Sequence, residues 1–182
     1  MQLTPKTQIT RDTAPNSEPI SLSEAKLFLR VDHSDEDAAI SQMIQSVRET
    51  AEEILGSSLI QQRWLFSVFG AVPLTLRLPY GPVSSVITVT SYNREGLATI
   101  QDVNTYRLRD PHALAFDVGI CAERTDILFE AGMGTSASDV PAALKQNMLQ
   151  HLAYLYGFRS LDDAERMHDI TRLYAPFREV QL

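Results

Sequence analysis

The chain has 182 residues, 44% of them hydrophobic and 21% charged, with a net charge of −7. That length accommodates one full domain, or a domain with a sizeable insertion. The acidity argues against an outer surface that grips nucleic acid through its phosphates, which needs clustered Lys and Arg, but it leaves open a surface past which DNA slides without sticking.

Residues 1 to 19 are polar and carry Pro5, Pro15 and Pro19. They read as a flexible arm, either a disordered end or a segment that orders on a partner. They lack the apolar core of a signal peptide. No run in the chain approaches the ~18 apolar residues of a membrane span, so no membrane partner is expected. The single cysteine, Cys121, leaves no intramolecular disulfide and points to a reducing compartment such as bacterial cytoplasm.

The first helix is expected over 21–30. Ser21 and Glu24 have capping-box spacing, and Leu22, Ala25, Leu27 and Leu29 supply an apolar stripe. Asp32 to Asp37 forms a polar break, in which Ser34 or Asp35 can cap a second helix over 36–55. Ile40, Met43, Ile44, Val47, Ala51, Ile54 and Leu55 recur there at helical spacing, and Gly56 is a suitable stop.

The character then changes to β. Strands are expected over 64–69 and 74–78, with Leu74, Leu76 and Leu78 alternating with Thr75 and Arg77. Pro79-Tyr80-Gly81-Pro82 reads as a rigid turn. Residues 83–92 form the strongest strand, with Val86, Thr88 and Thr90 on one face and Ile87, Val89 and Ser91 on the other. Asn93 to Gly96 is a hairpin-like turn, and shorter strands are expected at 105–108, 114–116 and 126–130. A helix follows over 141–156, with Asp139 as cap, Pro141 in the first turn and Gly157 as its end. A last turn or short helix is expected within 163–173. The predicted class is α+β: a helical core from N- and C-terminal helices, with an inserted antiparallel β-rich subdomain at about 60–132. The main domain spans 20–157 and a tail spans 158–182.

No catalytic constellation emerges. Gly132-x-Gly134 lacks the third glycine of a nucleotide motif and reads as a turn between strand and helix. The histidines, 33, 112, 151 and 168, do not share the spacing of a helical zinc site. The Asp32 to Asp37 cluster lacks the central glycine and distal glutamate of a calcium loop. Asp162, Asp163, Glu165, His168 and Asp169 read as a charged surface loop. Glu52 and Glu53 are adjacent on a helix and point apart, so they form no acid/base dyad. No serine sits in a nucleophile elbow. Neither an enzyme nor a cofactor is expected.

Two segments ask for a partner. Leu173-Tyr174-Ala175-Pro176-Phe177-Arg178 gathers the residue types of interface anchors, with packing of Tyr174 and Phe177 on the protein's own core as the alternative. Tyr154-Leu155-Tyr156-Gly157-Phe158-Arg159 carries much aromatic surface, for which core packing is the default.

The order of short signatures resembles the phage head–tail connector family. It runs Ile20-Ser21-Leu22-Ser23-Glu24-Ala25-Lys26 with Leu29 to Asp32, then Asp35 to Ile40 through Arg48 to Ala51-Glu52-Glu53 and Gly56. It continues with Leu78-Pro79-Tyr80-Gly81-Pro82-Val83, Val86, Tyr92 and Gly96, then Phe129 to Gly134 and Val140-Pro141. It closes on Leu155-Tyr156, Arg159, Leu173 and Pro176-Phe177-Arg178. The chain is similar to the longer subgroup, with a β-rich insertion, that gene transfer agents also carry. The resemblance implies a non-catalytic neck subunit assembled in bacterial cytoplasm. It implies a ring of about twelve copies under the capsid portal, extending the DNA channel and offering a surface to the stopper or tail. Portal contact is expected at Leu173, Tyr174, Pro176, Phe177 and Arg178. The acids expected to line the channel are Asp35, Glu36, Asp37, Glu49, Glu52 and Glu53. A stopper or tail-completion protein is the second reading, and a small enzyme with an unrecognised site the third. The family pattern implies no clear role for the polar arm of residues 1 to 19.

Overall fold

The structure is a computed structural model that describes residues 5–157 and 170–178. The chain divides into two compact units. One comprises residues 1–16 and 61–133, the other residues 17–60 and 134–182.

The helical unit holds α1 (Leu22–Leu29), α2 (Asp37–Leu55) and α3 (Ala142–Gly157). α1 begins as its sequence dictates. The Ser21 hydroxyl accepts from the Glu24 amide at 3.2 Å, while the Glu24 carboxylate accepts from the Ser21 amide at 2.8 Å. α2 has Glu36 as its N-cap residue, with no side-chain capping hydrogen bond, so Ser34 and Asp35 do not cap it. It ends where Gly56 turns left-handed (φ +66°) and its amide bonds the Glu52 carbonyl. The inner faces supply Ala25, Ile40, Ile44, Val47, Ala51, Leu144, Met148 and Leu152, all nearly or wholly buried. Helices from both ends of the sequence therefore pack on one another, with the β segment inserted between them in sequence. Ahead of α3, Ser136 and Asp139 form a capping box on a single 3-10 turn at Ala137–Asp139.

The β unit contains a five-stranded antiparallel sheet and a three-stranded one. The first comprises β1 (Lys6–Thr13), β2 (Gln62–Phe69), β4 (Val83–Tyr92), β5 (Ala98–Ile100) and β8 (Arg124–Ala131) in the order β1-β2-β8-β4-β5. The second comprises β3 (Thr75–Arg77), β6 (Tyr106–Asp110) and β7 (Ala113–Phe116) in the order β3-β7-β6. β2 and β8 alternate cleanly. Trp64, Phe66 and Val68 face Ile127, Phe129 and Ala131 in one core with Val89, Leu76, Leu78 and Leu114.

Three expectations are corrected here. The segment read as a flexible arm contains β1, paired antiparallel to β2 from Lys6 opposite Phe69 to Thr13 opposite Arg63. β4 does not alternate, because register shifts between Val83 and Ser85 and between Val86 and Thr88 each insert one residue. Val86 and Val89 thereby face Phe129 and Ile127 although they are three residues apart, and Ile87 is 38% exposed. Leu74 does not share the buried face of Leu76 and Leu78, since it precedes the strand and is 57% exposed.

The turn at 79–82 is built by close approach. The Tyr80 ring stacks on Trp64 at 4.2 Å between centroids. A side chain at Gly81 would collide with the His112 ring, so only glycine fits there.

Candidate functional site

The closing segment is helical over residues 170–174 and continues as a 3-10 turn at Ala175–Phe177. Tyr174 is fully buried. Its hydroxyl lies 3.1 Å from His151 Nδ1 on α3, and the two rings meet edge-on at 5.9 Å. One turn earlier on α3, the Asn147 side-chain amide donates to the Leu173 carbonyl. Burial lowers the His151 pKa to about 4 and raises that of Tyr174, so both are neutral at physiological pH. This uncharged pair pins the segment to α3.

Of the five residues expected to reach a portal, Tyr174 is thus spent on the fold. Its own-core alternative holds, because a buried hydroxyl needs a partner and His151 supplies one. Pro176 and Arg178 are exposed, while Leu173 and Phe177 are half-buried. The pin presents these four as a turn with an apolar centre and a cation beside it. Sequence spacing contained the signal for His151, since it follows Leu144 and Met148 on the inner face of α3 and adjoins Leu152.

The six acids expected along a channel separate in the same way. Asp35 and Glu53 are exposed, and Glu36, Asp37 and Glu49 are half-buried. Asp37 is held by Lys26 at 2.5 Å, and Glu36 accepts from the Tyr156 hydroxyl. Glu52 is 1% exposed and cannot line a channel. It anchors the end of α2. One carboxylate oxygen accepts from Arg48 Nη1 at 3.0 Å, the other from the Leu59 amide at 2.9 Å. Arg48, itself 1% exposed, also reaches Glu18 at 2.8 Å and Glu49 at 3.6 Å. Burial alone would lower the Arg48 pKa, but the hydrogen bond and charge of Glu18, with Glu52 and Glu49, outweigh it. The four-residue spacing of Arg48 and Glu52 is the sequence signal for this pair.

Charge is divided sharply between the units. Residues 1–16 and 61–133 contain eight basic and eight acidic residues, whereas 17–60 and 134–182 contain eight basic and fifteen acidic. The whole net charge of −7 therefore belongs to the helical unit. At its acidic N-terminal part, Glu24 is driven down to about 2 by the Ser21 backbone and hydroxyl and by Lys145 on α3.

Among the described residues, no group of three or more His, Cys, Asp or Glu side chains is placed to hold a metal, and no helix is long and apolar enough to cross a membrane. The loop at Asp162 to Asp169 and the aromatic Phe158 lie outside the described residues. Gly134 sits against Asp139, where the Ser136–Asp139 capping box explains the turn.

A family model described as phage gp6-like head–tail connector protein matches residues 19–115. No curated protein matches the chain significantly. Several solved structures share its fold. One chain comes from the neck of an empty gene transfer agent particle computed with C6 symmetry: TM-score 0.78, 22% identity, 96% of this chain and 97% of that one covered. A second comes from the virion of a native gene transfer agent particle (0.76, 21%, 96% of each chain). A third comes from the neck of the native particle computed with C12 symmetry (0.75, 22%, 96% and 97%).

Proposed function

The chain belongs to the phage gp6-like head–tail connector family, and from that premise we propose that it is the adaptor of a phage-like neck, a structural subunit without catalysis. Copies form a ring beneath the capsid portal, extend the channel through which DNA passes, and offer their far side to a stopper or tail-completion protein. The likeness in fold along nearly the whole chain to subunits of gene transfer agent necks supports this reading.

The observation that carries it is the pinned C-terminal turn. An adaptor needs a short, preorganised element to insert into a neighbour, because order already present need not be purchased on binding. Leu173, Pro176, Phe177 and Arg178 meet that need, with Tyr174 as their anchor. The charge division supports the rest. An acidic helical unit facing a channel repels phosphate and lets DNA pass. Asp35, Glu36, Asp37, Glu49 and Glu53 are the acids assigned to that face, without Glu52.

Capture of the purified chain by portal assemblies tests the assignment. The full chain should be retained, and a chain ending after Tyr174, which keeps the buried pin, should not. Retention of both would move the contact elsewhere on the adaptor. Retention of neither, with binding to tail components instead, would make the chain a stopper.

A further inference from the structure

The five-stranded sheet has two open ends, β1 at one and β5 at the other. All three residues of β5 are exposed. Leu97, Ile100 and Val103, on and beside it, are 68%, 73% and 66% exposed. Nearly all of β1 is exposed as well. Such edges display unpaired backbone groups and invite another strand. Among the described residues, six of the eight exposed large hydrophobics fall in the β unit, the unit whose charges balance. Copies can crowd together through a unit of balanced charge without net repulsion, which the −7 of the helical unit opposes.

A closed ring needs two different surfaces on each subunit that fit one another. We propose that the β5 edge of one copy docks beside the β1 edge of the next, continuing the sheet from subunit to subunit. This rests on the ring reading above. Strand direction fixes the geometry. Neighbours in the sheet are antiparallel throughout, so its two outer strands run the same way. Rotation about a ring axis preserves direction, and β1 of the neighbour lies parallel to β5. Charge agrees with the contact. β1 carries Lys6, Arg11 and Asp12, and the segment from Arg94 to Asp102 carries Arg94, Glu95 and Asp102. β1 has two basic residues and one acidic, the segment one basic and two acidic, so the two edges are of opposite net sign. Docking covers Ile100 and Leu97.

Disulfide trapping on assembled necks tests the contact. The full chain carries Cys121→Ser, to remove the native exposed thiol, with Thr99→Cys and either Gln8→Cys or Thr10→Cys, all at exposed positions. After assembly on portal and mild oxidation, a covalent ladder extending beyond dimers is expected from at least one double variant and from no single-cysteine chain. A ring visible by electron microscopy that yields no ladder would overturn the edge contact and leave the ring standing. No ring on the portal would overturn both. Ile100→Lys gives an independent measure. Burying that ammonium should cut ring assembly at least about tenfold while circular dichroism stays unchanged. Undiminished assembly by a folded Ile100→Lys chain would sink the proposal.

Discussion

The helical unit and the β unit solve the problem of a stable interior differently. The β unit relies on hydrocarbon. Its centre is Trp64, Phe66, Val68, Val89, Ile127 and Phe129, and its charged groups lie outside that core. The helical unit builds polar groups into its interior, with Arg48, Glu52 and His151 all 2% exposed or less. Apolar packing has no proton to gain or lose and tolerates any pH. A buried ion pair and a buried neutral imidazole do not, but they fix orientation, here that of the chain after α2 and that of the C-terminal segment. The unit that carries the proposed portal contact is thus the one whose interior is directional and sensitive to its surroundings.

The comparison can be broken most forcefully in the β unit. Phe129→Ala should cost about 4 kcal/mol through lost transfer energy and a residual cavity. Chemical denaturation would register it, and a loss under 1 kcal/mol would mean the core is not continuous there. In the helical unit, Arg48→Ala should cost about 3 kcal/mol, since it strands Glu52 in the interior. Arg48→Met should be milder, because its side chain fills most of the space that Arg48→Ala leaves empty.

Acid sharpens the contrast. The folded pKa of His151 is about 4, below the ordinary 6.5, so the unfolded chain binds its proton more readily. Stability from this group is full above pH 6.5 and drains away as pH falls towards 4, by up to roughly 3 kcal/mol. Glu24, lowered to about 2, weakens the fold only in the more acidic window below 4.5. Hydrogen exchange at pH 7 and pH 4.5 should show loosening of α3 and residues 170–174 with little change in β2 and β8. Equal loosening everywhere would remove the distinction. The smallest effect belongs to Tyr174→Phe, about 1 kcal/mol for one buried hydrogen bond. It should weaken portal capture by more than it lowers global stability, and equal effects would deny the hydroxyl its role as a pin.

Much of this was legible in residues alone. The Ser21–Glu24 box, the long apolar stripe of α2, its Gly56 stop and the extent of β4 are local patterns, readable because their partners lie within a turn or a strand. The resemblance in ordered motifs carried the family. What escaped was non-local or subtle. β1 is mostly polar, with Ile9 its one apolar residue against the core, so it lacks apolar alternation, and its partner lies some fifty residues away. β5 is too short and too exposed to announce itself. The bulges in β4 shift which side chains face inward without altering composition. Glu52 and Glu53 look alike as letters, and only helix geometry with Arg48 one turn back separates the buried anchor from the solvated acid. The candidate contact was legible as a segment of anchor-type residues and remains a proposal, but the division into a buried pin and a displayed turn needed the position of His151.

The pairing of β1 with β2 also has a temporal side. During synthesis β1 leaves the ribosome before β2, its partner, which follows only after the whole of α1 and α2. At about 5–20 residues per second the delay is several seconds. An ordinary half-buried strand would spend that interval as sticky apolar chain. With Lys6, Thr7, Gln8, Thr10, Arg11, Asp12 and Thr13 around a single Ile9, β1 can wait in water, and the composition that disguises it as a loose arm leaves this strand with little apolar surface to expose before its sheet exists.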